Sequence, residues 1–206
     1  MNVKGLEMPA YDPRAAKITG LGYITANRGG DHITGYIQLP TFVDMPMLII
    51  DDSQVKDPLV GNPEEAKVLV DLENALTVFD AIGGCKFMGI LMTADDIAVL
   101  IARATGWEFG VPEFRKAGER IYNLVRVYCV REGITRESDI LPERLMTEPL
   151  PDGPAKGMIV EKEMLEKMKD AYYQFRGWDK TTGIPIPQKL EELNLKELVP
   201  DLLNLR

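Results

Sequence analysis

The sequence predicts an all-α fold, a multihelical body preceded by a long loop-rich arm. Three observations carry that expectation. Apolar residues recur three and four positions apart through successive segments beyond Asn62, glycines stand where those segments end, and no stretch alternates strongly enough for a sheet. With 206 residues the chain is long enough to bury a substantial core.

The arm, residues 1–61, is punctuated at Asp12-Pro13, Gly20, Gly22, Asn27, Gly29, Gly30, Gly35, Pro40 and Pro46. A segment of that length with so little periodicity is unusual inside a domain unless it serves function. Its centre, Gly20 to Gly35, reads G-L-G-Y-I-T-A-N-R-G-G-D-H-I-T-G. Glycine-exposed amides beside Arg28 suit an anion or a polar heterocycle, although the spacing matches neither a dinucleotide fingerprint nor a P-loop. His32 is the only histidine and sits among polar residues, so a structural and a catalytic role both stay open.

The helical part, residues 62–206, is expected to form one unit with the arm. Asn62 caps a helix with Pro63 at its first position and Glu64 and Glu65 at its positive pole. Leu69, Leu72, Leu76 and Phe79 give it a core stripe that runs out at Asp80, followed by Gly83, Gly84 and Cys85. That ending reads either as a helix stop with a small buried cysteine or as a site where a polar ligand meets Asp80 and a soft one meets Cys85. Thr93 caps the next helix, with Asp95 and Asp96 in its first turn and Gly106 at its end. A longer helix runs from Pro112 to Glu132. Phe114, Ala117, Ile121, Leu124, Val125 and Tyr128 are its expected core face, Cys129 packs with them, and Arg120, Asn123 and Arg126 form a solvated row. Residues 134–159 read as a loop. From Val160 an amphipathic helix carries Met164, Leu165, Met168, Ala171, Tyr172 and Phe175 to Gly177, and two short helices follow Pro185.

Composition narrows the function. A net charge of -8 argues against a nucleic-acid surface, which needs clustered basic residues. No apolar run approaches the roughly 20 residues of a membrane span. Two cysteines fit a reducing, cytoplasmic setting rather than a disulfide framework.

Six segments in order resemble one family, the tungsten or molybdenum aldehyde ferredoxin oxidoreductases. They are Y-D-P-R-A from Tyr11, G-L-G-Y-I-T-A-N-R-G-G-D-H from Gly20, D-A-I-G-G-C from Asp80, G-E-R-I-Y-N-L from Gly118, R-E-G-I-T-R-E-S-D-I-L-P-E-R from Arg131 and Y-Y-Q-F-R-G-W-D-K-T-T-G-I-P from Tyr172. The resemblance covers essentially the whole chain and is to the C-terminal part of those enzymes. It implies a bis-pterin tungsten cofactor lying between this region and a β-rich N-terminal domain.

On that resemblance Asp80 accepts hydrogen bonds from the pterin, and Gly83 and Gly84 let the backbone approach it. Arg28 and Thr34 lie beside the cofactor, Cys85 is one thiolate of a 4Fe–4S cluster, and His32 is the histidine near the metal. The implied reaction turns an aldehyde and water into a carboxylic acid, with ferredoxin as electron acceptor. Departures are visible. Gly84 stands where the family often has leucine, and Thr34 where it often has a basic residue. A C-x-x-C-x-x-x-C run for the other cluster ligands is absent from the 206 residues. The expectation is therefore half a site, inactive alone, with Asp80, Cys85 and the Gly20–Gly35 loop exposed and loosely held. A non-catalytic helical scaffold subunit, or a relative that reduces an aryl thioester or a carboxylate, stands as the alternative.

Overall fold

Two short strands, β1 (Asn2–Val3) and β2 (Leu6–Glu7), pair antiparallel with Val3 opposite Leu6. Lys4 and Gly5 join them with φ of 50° and 80°, the doubly left-handed turn that suits a two-residue hairpin. The computed structural model describes residues 1–38, 48–51, 55 and 57–203; Pro40 and Pro46 of the expected arm lie outside the described residues. Helices supply almost all the other regular structure among the described residues: α1 (Lys17–Thr25), α2 (Glu65–Ile82), α3 (Met88–Leu91), α4 (Ala94–Thr105), α5 (Val111–Arg131), α6 (Glu143–Thr147), α7 (Lys162–Arg176), α8 (Pro187–Glu192) and α9 (Val199–Leu203). No described helix is long and apolar enough to cross a membrane.

The punctuation of the first 38 residues conceals the hairpin and α1. Gly20 and Gly22 read as breakers, yet they lie inside a helix that is apolar nearly all round and buried nearly all round. Lys4 anchors the hairpin to this helix. Its side chain is 3% exposed and donates to the Ile24 and Ala26 carbonyls at 2.5 and 2.8 Å, a cation placed at the negative pole of α1.

Helix α2 is the central element and packs against α1, α5 and α7. Leu69, Leu72, Leu76 and Phe79 are fully buried, as their spacing predicts. Each contributes about 1.5–3 kcal/mol by leaving water. Helix α5 crosses α2 so closely that a Cβ on Gly118 would lie 2.0 Å from the Asn74 carbonyl oxygen. Glycine is required at that crossing. Thr93 and Asp96 form the expected capping box on α4, and Gly106, Gly133 and Gly177 end their helices with positive φ.

The buried face of α5 matches the expected one at Phe114, and Arg120 is exposed as expected, but the face departs from expectation along the rest of the helix. Phe114, Gly118, Tyr122, Asn123, Arg126, Val127 and Val130 are buried, whereas Leu124, Val125 and Tyr128 are exposed. Arg126 is buried because partners distant in sequence meet it. It donates to Asp139 at 2.9 Å and to the Gly183 carbonyl at 3.0 Å, and its guanidinium lies 4.5 Å from the centre of the Trp178 ring. Asn123 accepts from the Trp178 indole at 2.8 Å. Cys129 is half-buried beside the Asn27 carbonyl, and burial pushes its thiol up. Within 134–159, expected as loop, Arg136–Ser138 forms a 3-10 turn and α6 a short helix.

Candidate functional site

The site is built where α2 ends. Gly83, with φ of 70°, is the left-handed residue that closes the helix, and the Gly84 amide donates back to the Phe79 carbonyl at 2.8 Å. Asp80 stands on the last turn with its side chain 63% exposed. Space beside Gly83 is open, since a Cβ there would meet nothing within 4 Å. Cys85 follows, also exposed.

Lys86 connects this turn to the loop that carries His32. Its ammonium pairs with Asp80 at 2.8 Å and reaches the Ile33 carbonyl at 3.5 Å. One residue on, the Phe87 ring meets Tyr36 edge-on with centroids 5.4 Å apart. The two regions singled out in the sequence are therefore adjacent.

The His32 loop is held from within, against the expectation of a loosely held segment. Gly29 has φ of 101°, and a Cβ there would lie 2.3 Å from the Val3 carbonyl oxygen. The Gly30 amide donates to that same oxygen at 3.2 Å. These glycines serve the contact with the hairpin rather than offering amides to an anion, which corrects their reading from sequence. Arg28 is 67% exposed and reaches Asp31 at 3.4 Å; Thr34 donates its hydroxyl to Asp31 at 2.5 Å.

His32 is half-buried between Tyr11 and Tyr36, with ring centroids 5.4 and 6.1 Å away. Among the described residues neither of its ring nitrogens has a hydrogen-bond partner. Burial raises the Tyr36 hydroxyl, which stays protonated near neutrality. Among the described residues no three His, Cys, Asp or Glu side chains converge tightly enough to hold an ion. Cys85 alone can therefore give one bond to a metal centre, not a cage. A cavity of about 540 Å³ between α2, α5 and α8 is lined by Lys67, Asp71, Arg115 and Glu119 among others, and none of the candidate residues lines it.

Sequence reasoning missed Asp31 and Lys86. Asp31 carried a usable signal, an aspartate with a threonine three residues later in a glycine-flanked loop, which is a side-chain-closed turn. Lys86 carried none, because its partners are fixed only once the chain folds.

The chain matches the family model described as aldehyde ferredoxin oxidoreductase, domains 2 and 3, over residues 1–195. It is 39% identical over 201 residues to a tungsten-containing aldehyde ferredoxin oxidoreductase of Pyrococcus abyssi, a match covering 97% of this chain and 31% of that protein. A protein of the same name from Pyrococcus furiosus is 40% identical over 199 residues, covering 96% of this chain and 31% of its own. The chain thus spans about a third of the length of these relatives. Among solved structures, the active-site complex BamBC of benzoyl coenzyme A reductase, in complex with 1,5-dienoyl-CoA, superposes with a TM-score of 0.67. That likeness covers 97% of this chain and 32% of the other at 18% identity, and so speaks for the fold alone. The match over residues 1–195 and the identity across nearly the whole chain together place it in the aldehyde ferredoxin oxidoreductase family, in the part formed by domains 2 and 3.

Proposed function

We propose that this chain forms one wall of a tungsten–pterin centre that oxidises aldehydes to carboxylic acids and passes the electrons to ferredoxin. The observation that carries the reading is the approach of two exposed cofactor-type groups, Asp80 and Cys85, to the loop that carries the half-buried imidazole of His32. Lys86 and the Tyr36–Phe87 contact bring them together.

The residues present fit such a group. Asp80 is an exposed carboxylate with acceptors only, suited to the paired N–H donors of a pterin edge. Open space beside Gly83 admits a flat ring to the backbone, and Gly84 keeps the following turn low. Arg28 offers an exposed guanidinium to an anionic group, and Thr34, whose proton is committed to Asp31, offers lone pairs only. Cys85 supplies one thiolate to a 4Fe–4S cluster whose remaining ligands come from outside this chain.

When bound, the tungsten–pterin supplies the two-electron chemistry. The overall change is aldehyde plus water to carboxylic acid, two protons and two electrons, which a bound cluster would carry away. Within this chain His32 holds or takes up a proton at a ring nitrogen as water adds to the carbonyl. Asp80 orients the pterin. A β-rich N-terminal domain supplies the rest of the cofactor's enclosure, and without it the chain is inactive.

The test reconstitutes the chain with that N-terminal portion and measures aldehyde-dependent ferredoxin reduction together with tungsten and iron content. His32→Ala is expected to keep the metals and lose turnover, and Cys85→Ala to lose iron. If both variants retain full turnover, the assignment of these residues is wrong. Stoichiometric tungsten and iron in the 206-residue chain alone would overturn the half-site account.

A further inference from the structure

A histidine that trades protons is commonly aimed by a hydrogen bond to its second ring nitrogen. The described contacts of the His32 ring are to Tyr11 and Tyr36, and the turn that carries it offers a second means of aiming it. Resting on the reading of His32 as the proton-handling group, we infer that Asp31 is its positioning residue. Asp31 acts through the backbone turn it closes, not through contact with the imidazole.

The geometry is specific. The Asp31 side chain is 5% exposed, and its carboxylate is engaged by donors on both sides of it in sequence. Oδ1 accepts the Ile33 amide at 2.9 Å. Oδ2 accepts the Thr34 hydroxyl at 2.5 Å and faces the Arg28 guanidinium at 3.4 Å. Residues 28–34 therefore wrap around one carboxylate, with His32 at the apex of the wrap. The His32 carbonyl in turn accepts the Tyr36 amide at 3.0 Å, which fixes the peptide on its far side.

With the backbone held at both ends, the imidazole leaves in one direction, into the slot between Tyr11 and Tyr36. Tyr36 adopts φ of 49°, a left-handed conformation that bulky side chains seldom take and that persists only where the surroundings impose it. Here the amide bond to His32 and the ring contact with Phe87 impose it. Asp31 does not itself handle the proton, because its oxygens are already committed within the loop.

The number of histidines makes a direct test possible. His32 is the only one, so the 206-residue chain shows a single set of imidazole signals by NMR. In the unaltered chain these signals are expected to be displaced from free-histidine positions by the rings of Tyr11 and Tyr36. Asp31→Asn keeps an acceptor for the Ile33 amide and should retain most of the displacement. Asp31→Glu keeps the charge but moves it outward by one methylene and should lose the displacement, as should Asp31→Ala, while the amide signals of α2, α5 and α7 stay in place. In the reconstituted holoenzyme, Asp31→Ala and Asp31→Glu are expected to lower kcat at least tenfold with KM within twofold and tungsten retained, and Asp31→Asn to restore most of the rate.

Unchanged imidazole signals in Asp31→Ala would overturn the inference, as would rescue by Glu but not by Asn, which would make charge rather than turn geometry the operative property. Failure of the catalytic reading looks different. His32→Ala would then stay active, while the imidazole signals still report whether Asp31 sets the ring.

Discussion

Replacing Arg176 with methionine should destabilise the fold strongly, because it strands a buried carboxylate. Arg176 on α7 and Glu73 on α2 are both fully buried and are joined Nη2 to Oε2 at 2.5 Å. The guanidinium also donates to the Tyr172 hydroxyl at 3.0 Å and to Asn74, and lies 3.7 Å from the centre of the Tyr122 ring. Glu73 has little else to fall back on. Its Oε2 accepts the Tyr172 hydroxyl at 2.6 Å, and its Oε1 has no hydrogen-bond partner among the described residues. Burial already pushes its carboxyl up, with Arg176 the main opposing influence. Breaking one partner of a buried pair typically costs about 3–5 kcal/mol. An unfolding entropy near 2.1 cal/mol/K per residue gives about 0.4 kcal/mol/K for 206 residues, so Tm should fall by about 7–12 °C. Urea unfolding of Arg176→Met, Glu73→Leu and the double variant measures the coupling directly. The double variant should be more stable than the sum of the single losses predicts by about 2–3 kcal/mol. A loss below about 1 kcal/mol in Arg176→Met, or strict additivity, would refute the idea that this pair ties α2 to α7.

Two further outcomes follow from the same interior. Gly118→Ala puts a methyl group 2.0 Å from the Asn74 oxygen and 2.7 Å from its carbonyl carbon, both backbone, so α2 and α5 must separate. Despite alanine's better helix propensity, a net loss of about 1–3 kcal/mol is expected in the urea midpoint, and equal or greater stability would contradict the close crossing. For Asp139, burial pushes the carboxyl up, but Arg126 and Lys4 more than offset that and leave it below 3.8. A depressed carboxyl stabilises the fold above its unfolded value and loses that contribution as pH falls through the folded one. The stability advantage of the unaltered chain over Asp139→Asn should therefore be constant from pH 7 to about 5 and shrink below about pH 4. Growth of that advantage on acidification would show the sign to be wrong.

Helix existence was legible wherever one face is purely apolar, as on α2, and wherever capping chemistry is local, as at Thr93, Gly106 and Gly177. Legibility failed where burial depends on partners far along the chain. Arg126 and Asn123 look solvated in sequence because Asp139, Gly183 and Trp178 are brought to them only by the fold. Leu124, Val125 and Tyr128 then face outward for the simple reason that the other face is taken. Helix α1 was hidden for a different reason: its glycines weaken the local signal, and tertiary burial overrides it. Asp80, Cys85 and His32 were singled out as candidates through the family resemblance. The Lys86 and Tyr36–Phe87 contacts join separate segments, so no single-segment pattern encodes them, whereas the Asp31 turn is local and left a trace in the sequence.

The contrast between interior and edge bears on how a cofactor enters. Arg126–Asp139 and Arg176–Glu73 are fully buried pairs, so breaking either leaves a charge with no water to receive it. Asp80–Lys86 is different in kind, since its carboxylate is mostly in water while its ammonium is only 10% exposed. A ligand that brings two parallel N–H donors therefore reaches Asp80 from the solvent side. Lys86, 10% exposed, keeps its bond to the Ile33 carbonyl when it releases Asp80. Exchange of Lys86 for such a ligand leaves the connection to the His32 loop intact. The helices are thus locked by pairs buried on both sides, whereas the Asp80–Lys86 pair at the candidate site presents its carboxylate to water.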